Sequence, residues 1–269
     1  RTPGGQPAVN KEQMDIFLEE GTEEVKEFVQ FISETKHDSK MKGTYFEAFR
    51  ELASESRIHP NINTVQAKSH RMSASNPNLQ NLPSNEALVR NAFVADDEES
   101  IIVSSDYDQI EMRLLSILSK DTNLISVFNT ADETGGDFFA EMGKMIYKDP
   151  DFQKSDPRRK TIKTLMYATT YGSGVRKLSR TSGIPEEELS KTMDQIYNQF
   201  PGFKRFMDEN VQEAETRLRN EGYAYILLES GRRMPVEQDK LYKANNQAIQ
   251  SRAAEVLKKA IVRLEAYGL

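Results

Sequence analysis

Apolar residues recur at helix-like intervals near the start of the chain. Between residues 11 and 35 they repeat every three or four positions, and Gly21 interrupts the repeat. This pattern predicts a helical hairpin or a kinked helix. Residues 59–85 are rich in Asn, Ser and Pro and show little periodicity, which predicts an extended, turn-rich segment.

A run of β-branched residues, Ile101 to Val103, is followed by Asp106, Tyr107 and Asp108. A helical pattern of apolar residues starts directly afterwards, around Glu111. We therefore predict a buried strand that ends on carboxylates and leads into a helix.

The second half of the chain has mainly helical periodicity. Proline residues mark helix boundaries between residues 135 and 221. Residues 222–236 alternate as in a hairpin, with Ser230 and Gly231 at the turn, and an apolar stripe from Leu241 to Leu264 predicts a last long helix. The pattern predicts an α+β fold.

Composition limits the classes of function. The chain has 269 residues, 36 Lys and Arg against 42 Asp and Glu, and a net charge of -6, so a site for a polyanion must be local. The absence of cysteine excludes disulfides and cysteine-based metal sites. We expect a cytoplasmic monomer without a membrane partner, and the Gly/Pro-rich opening without Met indicates a fragment of a longer protein.

The stretch SDPRRKTIKTLMYATTYGSG, residues 155–174, places cations at the start of a helix. Asp156 is the predicted N-cap, and the helix N-terminus already carries about half a positive charge, so an anionic ligand is expected to offset the cations. Arg159, Lys163, Tyr167 and Tyr171 follow each other at intervals of four residues, an order that suits a nucleoside triphosphate along the helix. On spacing alone, a solvated basic face with two half-buried tyrosines is the simpler interpretation.

Asp106 also has a simple alternative, because Asp is common in turns and at helix starts. Magnesium is held by few carboxylates together with water and phosphate oxygens. A carboxylate at a strand end and a triphosphate-binding helix therefore form a coherent pair of features.

Several stretches resemble the motifs of family A DNA polymerases, the bacterial DNA polymerase I class. DYDQIEMRLLSILSKD resembles the first catalytic motif, and RKTIKTLMYATTYG resembles the motif on the fingers helix. HRMSASNPNLQNLP, KMKGTYF, ESGRRMPV and NNQAIQSRAAEVLKKA are similar to further family segments, in the family's order. The resemblance implies part of a right-hand polymerase, with an antiparallel palm sheet and a mainly helical fingers subdomain.

The resemblance also implies boundaries and partners. Residues 1–55 would be a thumb remnant and the thumb–palm junction, 56–134 the first part of the palm, 135–221 the fingers, and 222–269 a hairpin and a helix returning to the palm. The implied partners are primer-template DNA and deoxynucleoside triphosphates, and the implied cofactor is Mg²⁺, as two ions.

The chemical roles follow from the same resemblance. Asp106 would ligate both ions, and the Tyr107 backbone carbonyl would help to hold one of them. Arg159 would bind the outer phosphates, while Lys163 would bind the phosphate chain and protonate the departing pyrophosphate. Gln109 would belong to the same nucleotide site.

Other residues would face the sugar, the base and the DNA. Tyr167 would lie against the incoming nucleotide, and Tyr171 would occupy the templating position until the fingers close. Glu111 would exclude a 2′ hydroxyl group by its bulk and by crowding that hydroxyl. Residues expected to face the minor groove, where they would test base-pair geometry, are Arg71, Gln250 and the supporting Asn246.

The chain also departs from the family pattern. Tyr167 stands where many members have Phe, a change that goes with acceptance of dideoxynucleotides. Asp108 replaces the usual Ser, Phe139 replaces a common His, and Met166 and Ala168 replace the usual Asn and Gly. The second metal-binding carboxylate would lie beyond Leu264 and outside this chain, so we expect the isolated chain to extend a primer weakly or not at all.

Two other functions remain open from the sequence. A single-subunit RNA polymerase shares the pattern of the fingers helix, although Glu111 and NPNLQNLP argue against it. A non-catalytic nucleic-acid-binding module would keep the fold without magnesium-dependent chemistry. A generic α+β protein with chance motifs is disfavoured by the order of the matches.

Overall fold

The computed structural model describes residues 11–268, which form two compact units. The first unit contains the residues up to Asn63 together with Ser73–Val103. The second contains Thr64–Met72 and the chain from Ser104 onwards. The Gly/Pro-rich opening, on which the prediction of a fragment partly depends, lies outside the described residues.

The first unit begins with the predicted helical hairpin, formed by α1 (Lys11–Glu20) and α2 (Glu23–Lys40). Gly21 joins them, and any side chain there would collide with the Phe17 carbonyl oxygen and with Val25. The remaining elements are a π-helix at Met41–Glu47, α3 (Ala48–Leu52), β1 (Asn61–Asn63), β2 (Ser73–Ser75), a 3-10 turn at Leu79–Asn81 and α4 (Ala87–Arg90).

The turn-rich prediction for residues 59–85 is confirmed, with one addition. Strands β1 and β2 pair in antiparallel register, with Ile62 opposite Ala74. The same unit contains a small core of Met41, Tyr45 and Val89. The Tyr45 hydroxyl group donates to the Asn81 carbonyl oxygen at 2.8 Å.

The predicted buried strand at Ile101–Val103 is wrong. These residues have no regular secondary structure, and the side chains of Ile101 and Val103 are 82% and 78% exposed. A strand exists only where a neighbour completes its hydrogen bonds, and no strand of the described chain pairs with this run. Apolar composition alone therefore could not place it in a core.

The second unit is mainly helical, as predicted. Its central core is built from buried apolar side chains of consecutive helices, including Met112, Leu124, Phe138 and Leu165. The helices are α5 (Ile110–Ser119), α6 (Thr122–Thr134), α7 (Phe138–Tyr147), α8 (Arg158–Thr170), α9 (Val175–Ser182), α10 (Glu186–Gln199), α11 (Pro201–Glu221) and α12 (Ala244–Ala266).

One buried carboxylate fixes the start of two of these helices. Asp121 is 3% exposed, and its Oδ1 accepts hydrogen bonds from the backbone N–H groups of Asn123 and Leu124 at 3.0 and 3.1 Å. Its Oδ2 accepts from Gly202 and Phe203 at 2.6 and 3.2 Å. The four bonds compensate the burial of the charge and tie α6 to α11.

The hairpin and the last helix complete this unit. Strands β3 (Tyr225–Leu227) and β4 (Arg233–Pro235) pair antiparallel, and Gly231 adopts φ +80° at the predicted turn. A 3-10 turn at Leu241–Lys243 leads into α12, whose first half is buried. Its second half is more open, because Leu264 is 50% exposed. None of the described helices combines the length and apolar character needed to cross a bilayer.

Candidate functional site

Helix α8 carries the predicted basic face, and protein carboxylates already bind its first arginine. The Asp156 carboxylate accepts the Arg158 backbone N–H at 2.8 Å, which confirms its capping role, although the helix is counted from Arg158. The Arg158 guanidinium also binds Asp156 and Asp149, at 2.7 and 2.8 Å. It lies over the ring of Phe152, which in turn packs against Gly143 of α7.

Arg159 is held by a second carboxylate. Its Nε and NH2 groups donate to Oδ1 and Oδ2 of Asp137, each at 2.6 Å, and the two side chains are 19% and 15% exposed. Asp137 Oδ1 also accepts the backbone N–H of Ala140 at 2.9 Å, so it caps α7. Burial alone would raise the pKa of Asp137, but Arg159 and Ala140 outweigh it and hold the pKa below its ordinary value.

The anionic partner that we expected for the start of α8 is thus partly supplied by the chain itself. Arg158 and Arg159 both have carboxylate partners, a point that charge counting along the helix could not reveal. Lys163 differs from them, because it is exposed and has no ion pair with any described residue. It therefore remains available to an external anion.

Tyr167 lies one turn further along the same face, half-buried beside Phe139, with ring centroids 6.1 Å apart. Burial, and then the charge of Glu111, raise the pKa of its hydroxyl group. Phe139 is 1% exposed and Met166 is fully buried, so two departures from the family pattern are core residues. Neither can act as a polar ligand.

Four predicted site residues meet in one hydrogen-bonded chain. Arg71 NH2 donates to Glu111 Oε1, and the Tyr171 hydroxyl group donates to Glu111 Oε2 at 3.2 Å. Gln250 Nε2 then donates to the Tyr171 hydroxyl oxygen at 3.0 Å. Glu111 is only 8% exposed, so these donors compensate the burial of its charge. Burial and the Glu111 charge raise the pKa of Tyr171.

The carboxylate loop before α5 is exposed. Asp106 and Tyr107 lie in a coil, and Gln109 begins the helix with a left-handed backbone at φ +48°. Arg113 Nε donates to the Asp108 carbonyl oxygen at 2.9 Å, which fixes the end of the loop to α5. The Asp108 carboxylate also lies 3.7 Å from Arg113 NH2, so its side chain adds a long ion pair to the same arginine.

A groove of about 550 Å³ lies beside Asp106. Its walls are Ser105, Asp106 and Tyr107 on one side and the open half of α12, including Leu257 and Leu264, on the other. Carboxylate and carbonyl oxygens suit Mg²⁺, but no cluster of three or more metal-binding side chains occurs within the described part of the chain. Asp106 and Tyr107 thus fit as a partial set of ligands.

Two predicted residues contain buried atoms without a partner. Gln109 Oε1 and Asn246 Oδ1 have no hydrogen-bond donor among the described residues. Buried polar atoms are normally satisfied, so each is suited to accept a bond from a ligand or water. Asn246 lies on α12, one turn before Gln250.

Sequence reasoning missed one residue of this site, Asp137. A helix start after Gly136 made Asp137 a recognisable cap, because Asp is a preferred N-cap residue. Its pairing with Arg159 spans 22 residues and two helices, and no local pattern reports such a contact.

Comparisons with known proteins match this chain to one family. Residues 5–268 match the model described as DNA polymerase family A. The chain is 32% identical over 240 residues to the DNA polymerase of Mycobacterium phage D29, covering 89% of this chain and 38% of that protein. It is 30% identical over 258 residues to the thermostable DNA polymerase I of Thermus aquaticus, covering 91% and 30%.

A solved structure is also similar. The POL domain of Pol1 from M. smegmatis, in complex with DNA primer-template and dNTP, superposes with a TM-score of 0.75 and 26% identity. The match covers 97% of this chain and 47% of that one. The chain therefore spans less than half the length of each of these relatives.

Proposed function

Because the chain belongs to DNA polymerase family A, we propose that the whole protein performs template-directed DNA synthesis. It adds deoxynucleotides from dNTPs to a primer 3′ end. The observation that carries this proposal is the convergence of Arg71, Glu111, Tyr171 and Gln250, drawn from four separate sequence motifs, in one hydrogen-bonded chain.

The reaction joins the primer 3′ oxygen to the α-phosphorus atom of the dNTP. The bond between the α-phosphorus and the bridging oxygen breaks, the primer hydroxyl proton passes to solvent, and pyrophosphate leaves. Lys163 binds the phosphates and donates a proton to the leaving group, a role open to it because it has no ion pair in the described chain. Arg159 binds the outer phosphates.

Selection of the sugar depends on Glu111. A buried carboxylate bound by Arg71 and, until the fingers close, also by Tyr171 cannot easily move aside. Its bulk therefore excludes a 2′ hydroxyl group, which would also compete for the N–H and O–H groups that bind Glu111. Tyr167 lies against the incoming sugar and base, and Gln109 contributes its unpartnered Oε1.

Asp106 and the Tyr107 carbonyl are the proposed ligands of Mg²⁺. The metal, when bound, supplies charge that stabilises the phosphoryl-transfer transition state. Since no larger cluster of metal-binding side chains forms within residues 11–268, we expect the isolated chain to extend primers weakly or not at all.

Primer-template DNA is the proposed macromolecular partner. Arg71, Gln250 and Asn246 face the minor groove, where donors can test the shared acceptors of correct pairs. Helix α9 adds exposed cations that make no ion pair with described residues, namely Arg176, Lys177 and Arg180. In a chain of net charge -6, such a local basic face suits a phosphate backbone.

The subdomain boundaries stay part of the proposal. Residues 1–55 are assigned to the thumb remnant and junction, 56–134 and 222–269 to the palm, and 135–221 to the fingers. The proposed site residues then come from the palm and the fingers.

Primer extension by the protein expressed from its complete source gene tests the function. We expect magnesium-dependent extension with dNTPs, and a loss of at least about a hundredfold for Asp106→Asn and Lys163→Ala. Asp208→Asn, which alters an exposed carboxylate of α11, is the control and should remain active.

Three results would contradict the proposal. Ribonucleotide preference would favour an RNA polymerase. DNA binding without magnesium-dependent chemistry would favour a binding module. Full activity of Asp106→Asn would contradict the assignment of Asp106 as a metal ligand.

A further inference from the structure

The side chain of Arg159 is fixed before any nucleotide arrives. Its two bonds to Asp137 are parallel and short, at 2.6 Å each, and both partners are largely buried. A planar guanidinium bound in this way cannot rotate without breaking both bonds. Its orientation is therefore set by Asp137.

Asp137 is itself immobilised. Its Oδ1 accepts the Ala140 backbone N–H at 2.9 Å, and its backbone carbonyl accepts that of Glu141 at 3.0 Å. The Phe139 ring lies 5.6 Å from the Arg159 guanidinium carbon. The carboxylate thus fixes the Arg159 side chain of α8 relative to the N-terminus of α7.

The ion pair leaves most of the guanidinium donors unused. Arginine has five N–H bonds, and the contact with Asp137 uses one on Nε and one on NH2. The remaining three are the two N–H bonds of NH1 and the second N–H bond of NH2. NH1 makes no hydrogen bond with a described residue and is not among the fully buried atoms without a partner, so solvent reaches it. An external phosphate can bind there while the pair with Asp137 stays intact.

We propose that Asp137 is a positioning residue for the triphosphate, which holds Arg159 so that its NH1 end meets the outermost phosphate group. The inference rests on the proposed function, because it assumes that α8 binds a dNTP. It adds a residue outside the fingers-helix motif, and it assigns that residue to recognition of the outer phosphate rather than of base or sugar.

The test measures nucleotide binding without requiring catalysis. The 269-residue chain is titrated against dTTP and dTDP with Mg²⁺, and binding is followed by ³¹P NMR. The variant Asp137→Asn keeps a good N-cap for α7 but removes the charge and one acceptor. We expect the affinity for dTTP to fall by about tenfold and that for dTDP by less than about twofold, because the contact serves the outer phosphate.

Two further variants separate positioning from a merely structural role. Glu229→Gln breaks the bidentate pair of Glu229 with Arg252 and should leave both affinities unchanged. In an Arg159→Ala background, adding Asp137→Asn should cause no further loss of dTTP affinity, because Asp137 acts through Arg159. Thermal melting of each variant reports on folding separately.

The outcomes are distinct. Unchanged dTTP affinity in Asp137→Asn, or equal losses for dTTP and dTDP, would overturn the inference while leaving the proposed function intact. Tighter binding of dTTP would also overturn it, since Asp137 would then compete with phosphate for Arg159. Failure of the unaltered chain to bind dTTP would overturn both the nucleotide site and the inference.

Discussion

The hydroxyl group of Tyr171 donates a hydrogen bond to Glu111 Oε2 at 3.2 Å, which links the end of α8 to the start of α5. The same hydroxyl accepts from Gln250 of α12 at 3.0 Å. In the proposed polymerase, Tyr171 occupies the templating position until the fingers close. Closure must then break both bonds, so they stabilise the arrangement without nucleotide.

Removal of this hydroxyl group should be measurable as a loss of stability. Tyr171→Phe deletes two hydrogen bonds, one of them to a carboxylate, and should lower the free energy of unfolding by about 1–2 kcal/mol. Urea denaturation measures the difference. Tyr167→Phe is the matched control: its hydroxyl bonds to no described residue, so a change within about 0.5 kcal/mol is expected. Equal losses for both variants would contradict the proposed importance of the contact.

The hydroxyl group of Tyr167, which bonds to no residue that the structure describes, leads to a prediction about chain termination. In the complete protein, we expect dideoxynucleotides to be accepted, because the phenol can replace the contact of the missing 3′ hydroxyl. Tyr167→Phe should then reduce dideoxynucleotide incorporation relative to dNTP incorporation. Termination frequencies on a defined template measure this ratio, and an unchanged ratio in the variant would exclude the role.

Asp121 should be among the least replaceable residues. Asp121→Asn substitutes a donor for one carboxylate oxygen, leaving N–H groups of α6 or α11 without an acceptor. We expect a loss of about 2–4 kcal/mol in the free energy of unfolding. Asp97→Asn, in an exposed turn, is the control and should cost less than about 0.5 kcal/mol. If denaturant titration showed equal losses for the two variants, the proposal that Asp121 caps both α6 and α11 would be contradicted.

Glu237 should contribute stability that depends on pH. Its carboxylate binds Lys240, Lys243 and Lys68 at 2.8, 3.1 and 3.1 Å, and hydrogen bonds from these lysines lower its pKa from 4.5 to about 2. The folded pKa is depressed, so the contribution is complete above pH 4.5 and is lost as pH falls towards 2.

The variant Glu237→Gln tests this directly. It should be less stable than the unaltered chain at pH 7, and the difference should shrink as the pH falls below 4.5. Urea midpoints at several pH values measure it, with Glu133→Gln, an exposed residue, as control. A difference that stayed constant down to pH 3 would mean that the lysines do not stabilise the charged form.

The basic face of α9 predicts the salt dependence of DNA binding. If its three cations contact a single strand, their joint replacement by Ala lowers the slope of log Kd against log salt by about 2, since each phosphate contributes about 0.7. Fluorescence anisotropy with a primer-template that has a long single-stranded overhang measures the slope. Replacement of the ion-paired Lys204 and Arg205 should change it less.

Local signals in the sequence were sufficient for most helices and for the α+β class, which the fold and the family comparisons confirm. Apolar periodicity and the prolines at 157, 185 and 201 report directly on helix faces and helix starts. The run Ile101–Val103 could not be placed in the same way. A strand depends on a partner elsewhere, and its sequence cannot show whether one is present.

The candidate site residues were predicted from ordered motifs rather than from the physical properties of single positions. Contacts such as Tyr171 with Gln250 span 79 residues, and Arg71 with Glu111 span 40. Charge spacing along α8 suggested an external anion, but it could not show that Asp137 and Asp149 come close. Pairing between residues far apart in the sequence is determined by tertiary packing, which local sequence patterns do not show.

Gly143 illustrates how such packing constrains change over time. Any side chain at this position would displace Phe152, whose ring lies beneath the Arg158 guanidinium. A mutation there would therefore loosen the Arg158 side chain, which Gly143 does not contact, at the start of the helix proposed to bind the nucleotide. Substitution of Gly143 during evolution should therefore be limited less by its direct neighbours than by the need to keep Arg158 in place.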